Sequence, residues 1–321
     1  VEIGRLQEYL ELGELKLERF KGGYSNLTYL ISNGAEEWVL RMGPPGAKVR
    51  GAHDMGREFR ILTALSAVFP QAPKAIRYCE DESILGRPFF LMERIEGEIL
   101  RGSQGGPPER MARLSRALTE QLARLHSLDV AELGLSEWDK GDGYIERQVG
   151  GWIDRWHKAE GPGGEAVLEY LAGTKMAPSP ARLIHNDFKY DNVVWRGDEV
   201  VAILDWEMAT VGDPWMDLGT TLGYWVEASD APELRALGFG PTHLAGNLTR
   251  LEVADLYQQR TGWSRPAAEI QFFYLFGLFK VAVIAQQIYL RFRQGHTQDP
   301  RFAHLNVAVE LLLGQAGRAL G

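Results

Sequence analysis

The chain has 321 residues, 45% of them hydrophobic and 24% charged, which is enough apolar material for one large domain or two smaller ones. A formal charge of −8 argues against broad nucleic-acid binding, which needs a concentrated basic face. The single cysteine, Cys79, excludes an internal disulfide and a cysteine-based zinc site.

The opening VEIGRLQEYLELG is amphipathic and acidic, with no basic stretch leading into an apolar one, so no signal peptide is expected. ELKLERF (14–20), LTYLIS (27–32) and EWVLRM (37–42) read as three strands, separated by the turns KGGYSN and NGAEE. GPPGAKVRG (43–51) is a loop, because paired prolines and glycines prevent regular structure. Residues 53–69 carry apolar positions at helical spacing behind polar capping residues. Strands follow around AIRYCEDE (75–82) and PFFLMERIEG (88–97). The first connections are too short for crossovers, so the sheet is expected to be antiparallel.

Near Glu96 the last strand runs into a Gly/Ser/Pro-rich connection, and the texture changes. This sets the expected boundary between residues 1–95 and residues 96–321. Residues 110–129 form a strong amphipathic helix, 143–175 a looser helical insertion, and everything from 213 onward reads as helical. Between these lie two short strands, NVVWRGD and VVAILDWE. The most apolar stretch, 272–290, is nearly long enough to span a bilayer, but Lys280, Gln286 and Gln287 interrupt it. A buried core helix is therefore expected, with no membrane partner and a cytoplasmic location.

The segment HNDFKYDN (185–192) and the later ILDWE place Asp187, Asn192 and Asp205 among strand-like apolar runs. Carboxylates in such surroundings are costly unless partnered, and a metal ion is one such partner. Phosphoryl transfer asks a protein to hold a nucleoside triphosphate, magnesium and an attacking hydroxyl, and magnesium takes hard oxygen ligands. Five positions of one loop let Asp187 face the hydroxyl while Asn192 points to a metal. Asp205 ends an apolar strand with its backbone already fixed. The glycines of KGGYSN allow close backbone approach to phosphates, which makes Gly22, Gly23, Ser25 and Asn26 candidates for nucleotide binding.

HNDFKYDN, ILDWE and GDPWMDLG together resemble the catalytic segments of aminoglycoside-phosphotransferase-like and choline-kinase-like small-molecule kinases. WVLRMGPPG, REFRIL and FLMERIEG are similar to the phosphotransferase domains linked to acyl-CoA dehydrogenases, so the resemblance covers roughly residues 15 to 295. It implies an α+β, bilobal, protein-kinase-like fold. The N-terminal nucleotide-binding lobe would carry an antiparallel sheet and one helix. The larger, mostly helical C-terminal lobe would be catalytic and bind the acceptor.

Carried over by residue, the resemblance makes Asp187 the catalytic base or hydroxyl-orienting group and Asn192 and Asp205 the Mg2+ ligands. Lys189 would steady the γ-phosphate, His185 would brace the loop, and Asp217 would accept hydrogen bonds from the loop backbone. Arg41 stands where kinases carry a phosphate-gripping lysine, with Glu58 as its partner. Glu93 and Ile95 mark the hinge whose backbone would meet the base of ATP, or of GTP. Trp206 and Glu207 replace the Phe-Gly of the protein-kinase motif. The short run to Asp217 holds no phosphorylatable loop, which predicts a site assembled without a loop switch.

The resemblance implies a γ-phosphate transferred to a hydroxyl of a small molecule. An endogenous hydroxylated metabolite such as a hydroxyacyl compound is favoured over an aminoglycoside. Arg147, Arg155, Lys158, Arg291 and Arg293 are cations available to an acceptor's own phosphates. A nucleotide-binding pseudokinase module is the competing class, although it would be expected to have lost Asp187, Asn192 or Asp205. Protein-serine kinase activity is disfavoured by the missing activation segment. The residues leave the oligomeric state open.

Overall fold

The computed structural model describes residues 3–20, 26–44 and 54–321. The chain divides into two compact units. The first comprises Val1–Glu98 with Val193–Arg196 and Val200–Ala209, and the second comprises Ile99–Asn192, Gly197–Glu199 and Thr210–Gly321. Fold class is α+β of the kinase-like type: a five-stranded antiparallel sheet in the first unit and a mainly helical second unit.

The first unit begins with α1 (Ile3–Leu10), then β1 (Lys16–Arg19), β2 (Leu27–Ser32) and β3 (Glu37–Met42). The β2–β3 hairpin turns at Asn33-Gly34. The Asn33 side chain accepts from the N–H groups of Ala35 and Glu36 at 3.0 and 2.9 Å, and Gly34 takes φ +87°. Next come α2 (Met55–Leu65), β4 (Ala75–Cys79), the one-turn α3 (Glu82–Leu85) and β5 (Phe89–Glu93). Asp54 caps α2 by accepting from Arg57 N–H. The strand order is β1-β2-β3-β5-β4, antiparallel throughout.

Period-two alternation decides which way Arg41 points. Leu40 and Met42 of β3 join Ile31, Phe89 and Leu91 in an apolar cluster with Leu6 and Leu10 of α1. Arg41, between them, therefore faces away from α1, toward α2, whose Phe59 packs on Phe90 of β5.

The second unit contains α4 (Pro108–His126), α5 (Tyr144–Lys158) and α6 (Glu165–Gly173). The helical insertion expected over 143–175 is two helices, separated by the run Gly161-Pro162-Gly163-Gly164. Strand β6 (Arg182–Ile184) leads into the 185–192 loop and pairs antiparallel with β9 (Thr210–Gly212). Between them in sequence, β7 (Val193–Arg196) and β8 (Glu199–Ile203) pair with each other. Trp195 of β7 exchanges two 2.8 Å backbone hydrogen bonds with Glu98. The sequence reading contains neither β6 nor β9, because three residues carry no measurable alternation.

Then follow α7 (Pro214–Tyr224), α8 (Pro232–Arg235), α9 (Arg250–Thr261), α10 (Ala267–Arg293) and α11 (Leu305–Leu320). Helices α7 and α10 cross with backbones nearly touching. A Cβ added at Gly277 would lie 1.8 Å from the Gly219 carbonyl oxygen, and one at Gly219 would lie 2.2 Å from that of Phe273. Among the described residues, α10 alone is long and apolar enough to cross a membrane, and it is buried from Phe272 to Val283 apart from the half-buried Tyr274.

Candidate functional site

In the second unit, the loop after β6 is built around a buried carboxylate. Asp217, in the first turn of α7, accepts from the N–H of His185 at 2.6 Å and of Asn186 at 2.7 Å. It also accepts from His126 Nε2 at 3.1 Å, while His126 Nδ1 accepts from the Tyr257 hydroxyl at 2.8 Å. Burial pushes the Asp217 pKa up, but the His126 hydrogen bond and the charges of His126, His185 and Lys280 outweigh it and hold the carboxyl below its ordinary range. Asp217 thus does what the resemblance implied for it. The partners His126 and Tyr257 did not stand out in the sequence.

With its two flanking N–H groups fixed, the loop turns through Asn186, whose φ is +68°, a left-handed value that Asn tolerates better than most residues. Asp187 follows. Its N–H donates to His185 Nδ1 at 3.2 Å, so the buried His185 ring does brace the loop. Lys189 Nζ donates to the Asp187 carboxylate at 2.9 Å and lies 4.3 Å from the centre of the Tyr224 ring. Asn192 Nδ2 donates to both the backbone oxygen and Oδ2 of Asp187, each at 2.8 Å. That orientation fixes the amide nitrogen on Asp187 and makes Oδ1 the hard-oxygen end available to a cation. The structure therefore brings Asp187, Lys189 and Asn192 into one hydrogen-bonded group.

A second polar group lies in the first unit, centred on Arg41, which is only 7% exposed. Arg41 Nε is 3.2 Å from Glu58 Oε1, and its Nη2 is 2.8 Å from Asp205 Oδ1 and 3.2 Å from Glu207 Oε2. Asn26 Nδ2 donates to Glu207 Oε2 at 2.6 Å. Burial disfavours the guanidinium charge, but the three carboxylates more than compensate, and the Arg41 pKa lies above its ordinary value. Burial pushes Glu58 up to about 7; Asp205 adds to the rise and Arg41 opposes it. Asp205 follows β8 with φ +66° and ψ +60°, at the start of a 3-10 turn pinned by a 2.7 Å hydrogen bond from the Trp206 indole to Ile203 O.

The expected Arg41–Glu58 pair is present. Glu207, which departs from the protein-kinase motif, joins Asn26 to Arg41. Its place two residues beyond Asp205 was the one available signal.

Ile95 lies in the half-buried segment after β5. The Glu93 side chain is occupied, accepting from Lys74 N–H at 2.7 Å. Gly22, Gly23 and Ser25 lie outside the described residues.

No cluster of three or more His, Cys, Asp or Glu side chains suited to a metal occurs among the described residues. Taken separately, Asp205 of the first unit offers a carboxylate and Asn192 of the second an amide oxygen, both hard donors of the type magnesium takes.

A two-unit α+β protein of the kinase-like class, with a hydrogen-bonded Asp-Lys-Asn loop, is what fold and site define. Residues 16–253 match the Phosphotransferase enzyme family, and the chain belongs to that family. It is 33% identical over 294 residues to acyl-CoA dehydrogenase family member 11 of Rattus norvegicus, a match spanning 89% of this chain but only 38% of that protein. A crystal structure of a candidate aminoglycoside phosphotransferase from Ralstonia eutropha JMP134 superposes with TM-score 0.82 at 25% identity, covering 99% of this chain and 98% of that one. A thermostable mutant of aminoglycoside phosphotransferase APH(4)-Ia, in ternary complex with AMP-PNP and hygromycin B, superposes with TM-score 0.62 at 15% identity over 98% and 97% of the two chains.

Proposed function

We propose that this chain transfers the γ-phosphoryl group of ATP, or of GTP, to a hydroxyl of a small endogenous metabolite. The observation that carries the reading is the hydrogen-bonded group of Asp187, Lys189 and Asn192 on a loop whose backbone is held by Asp217. Asp187 orients the acceptor hydroxyl and receives its proton as the acceptor oxygen bonds to the γ-phosphorus and the bond to the β-phosphate oxygen breaks. Lys189, hydrogen-bonded to Asp187, is the residue whose ammonium would steady the transferred phosphoryl oxygens. Asn192 and Asp205 are the residues that would hold Mg2+, which supplies charge neutralisation for the phosphate tail when bound. Arg41, fixed by Glu58, together with Gly22, Gly23, Ser25 and Asn26, serves the phosphates of the donor. The backbone at Glu93 and Ile95 serves the base. A cytoplasmic setting, where such nucleotides are available, goes with this assignment.

Asp187 lies with Lys189 and Lys280 in one electrostatic neighbourhood, and Arg155 is close enough to act on Lys280. Lys189 beside Asp187 favours a hydroxylated acid or hydroxyacyl thioester over a polycationic antibiotic. The likeness to a chain named for acyl-CoA dehydrogenase points the same way. The likeness to a hygromycin B complex supports the antibiotic as the second reading.

The test is magnesium-dependent nucleotide turnover against a panel of hydroxy acids, hydroxyacyl thioesters and aminoglycosides. Turnover with the hydroxyacyl set is expected. Turnover with aminoglycosides alone would install the second reading. Tight nucleotide binding without turnover on any acceptor would make the chain a pseudokinase module.

A further inference from the structure

Lys280 sits in the middle of α10, 2% exposed, between the core residues Phe279 and Val281. An ammonium in such a place is costly unless its protons are all received. Here they are. Nζ donates to the Asn186 carbonyl at 2.8 Å, to Asn186 Oδ1 at 3.1 Å and to Thr220 Oγ1 at 3.2 Å, and lies 5.5 Å from the centre of the Trp152 ring. The close α7–α10 crossing at Gly219 and Gly277 is what brings a helix 94 residues further along the chain within reach of this loop.

Asn186 is thus gripped at its N–H, its carbonyl and its side-chain oxygen. Asp217 receives its N–H, and Lys280 binds both its carbonyl and its side chain. Its left-handed backbone sets the direction in which the chain leaves for Asp187. We propose that Lys280 is a positioning residue for the transfer step: it locks the Asn186 peptide so that the Asp187 carboxylate is aimed at the acceptor hydroxyl. This inference rests on the reading of Asp187 given above.

The charged groups facing Lys280 are Asp217 of α7, Asp187 and Lys189 of the loop, and Arg155 of α5. Burial lowers the Lys280 pKa to about 8. The two carboxylates oppose that fall, and Lys189 and Arg155 add to it. The ammonium therefore begins to lose its proton just above neutral pH, and its grip on the carbonyl weakens with it.

The experiment compares wild type, Asp187→Ala and Lys280→Met in steady-state turnover with magnesium nucleotide and the best acceptor of the panel, together with a crystal structure of Lys280→Met. A misplacement near 1 Å costs on the order of 100-fold. Lys280→Met is accordingly expected to lower kcat by roughly 10- to 100-fold with nucleotide KM within about twofold of wild type. The wild-type fall in kcat above about pH 8 should flatten in the variant. The crystal structure should show Asn186 out of its left-handed conformation or the Asp187 carboxylate displaced. Unchanged kcat, or an unmoved Asn186–Asp187 segment, overturns the proposal. If Lys280→Met does not fold, Thr220→Val removes one acceptor at constant shape, and a smaller kcat loss in the same direction is required. Should wild-type turnover be insensitive to Asp187→Ala, the reaction reading fails, and the crystal structure alone decides whether Lys280 holds the loop.

Discussion

Arg41 is the residue whose surroundings say most about cost and compensation. It sits buried against Glu58, Asp205 and Glu207, and removing one partner of a buried ion pair leaves the others uncompensated. Arg41→Met is expected to destabilise the protein by about 3–5 kcal/mol. Adding Glu58→Gln to it should recover part of that loss in a double-mutant cycle read by urea denaturation. Glu58 makes a separate pH prediction. Its folded pKa of about 7 exceeds the ordinary 4.5, so the folded state binds the extra proton between those values. Stability from this group is therefore full below about pH 4.5 and is lost as pH rises through about 7. Glu58→Gln should flatten that segment of the stability–pH curve, and an unchanged slope would contradict the assignment. At the residue scale, polar groups that interrupt apolar runs marked the loop in which Asn192 donates to Asp187. The sequence was silent on Lys280, which looked like a blemish in an apolar helix because its partner, Asn186, is 94 residues away.

Elements with their own period were legible. LTYLIS and EWVLRM were bounded correctly because alternation and an Asn-Gly turn fix both ends of the hairpin. The helix read over 53–69 spans Met55–Leu65, since Asp54 is the true cap and the chain turns at Ser66. Strands β6 and β9 escaped notice, yet they frame the 185–192 loop. Their pairing is a tertiary fact with three residues a side. The α7–α10 crossing was equally hidden, because glycines within helical patterns do not announce what they touch. It makes a sharp prediction. Gly277→Ala places a methyl group 1.8 Å from the Gly219 carbonyl oxygen, so the helices must part. A loss of about 1–3 kcal/mol is expected from such overpacking, read by thermal or urea unfolding. Gly314→Ala, where the nearest atom to the added Cβ is the far end of Arg318 at 3.6 Å, is the control and should be near neutral. If both changes behave alike, the close crossing is not what Gly277 serves.

At the scale of the whole molecule, the match over 16–253 fixes the family, while the chain spans 38% of the length of the acyl-CoA dehydrogenase relative it resembles. The choice of base and acceptor was least legible. Hinge contacts are made by backbone atoms that leave no trace in residue type, and the Glu93 side chain is spent on Lys74. Nucleotide binding should stabilise the folded chain by mass action, about 2.7 kcal/mol at a hundredfold excess over Kd, and Asp205→Asn should reduce this more in magnesium than in EDTA. The most direct measurement is transfer of labelled γ-phosphate from magnesium nucleotide to a hydroxyacyl acceptor by wild type and by Asp187→Ala. The account predicts a labelled phosphoester from wild type and a drop of roughly 100- to 10,000-fold in kcat for the variant, with nucleotide affinity retained. Equal transfer by the two proteins would contradict it.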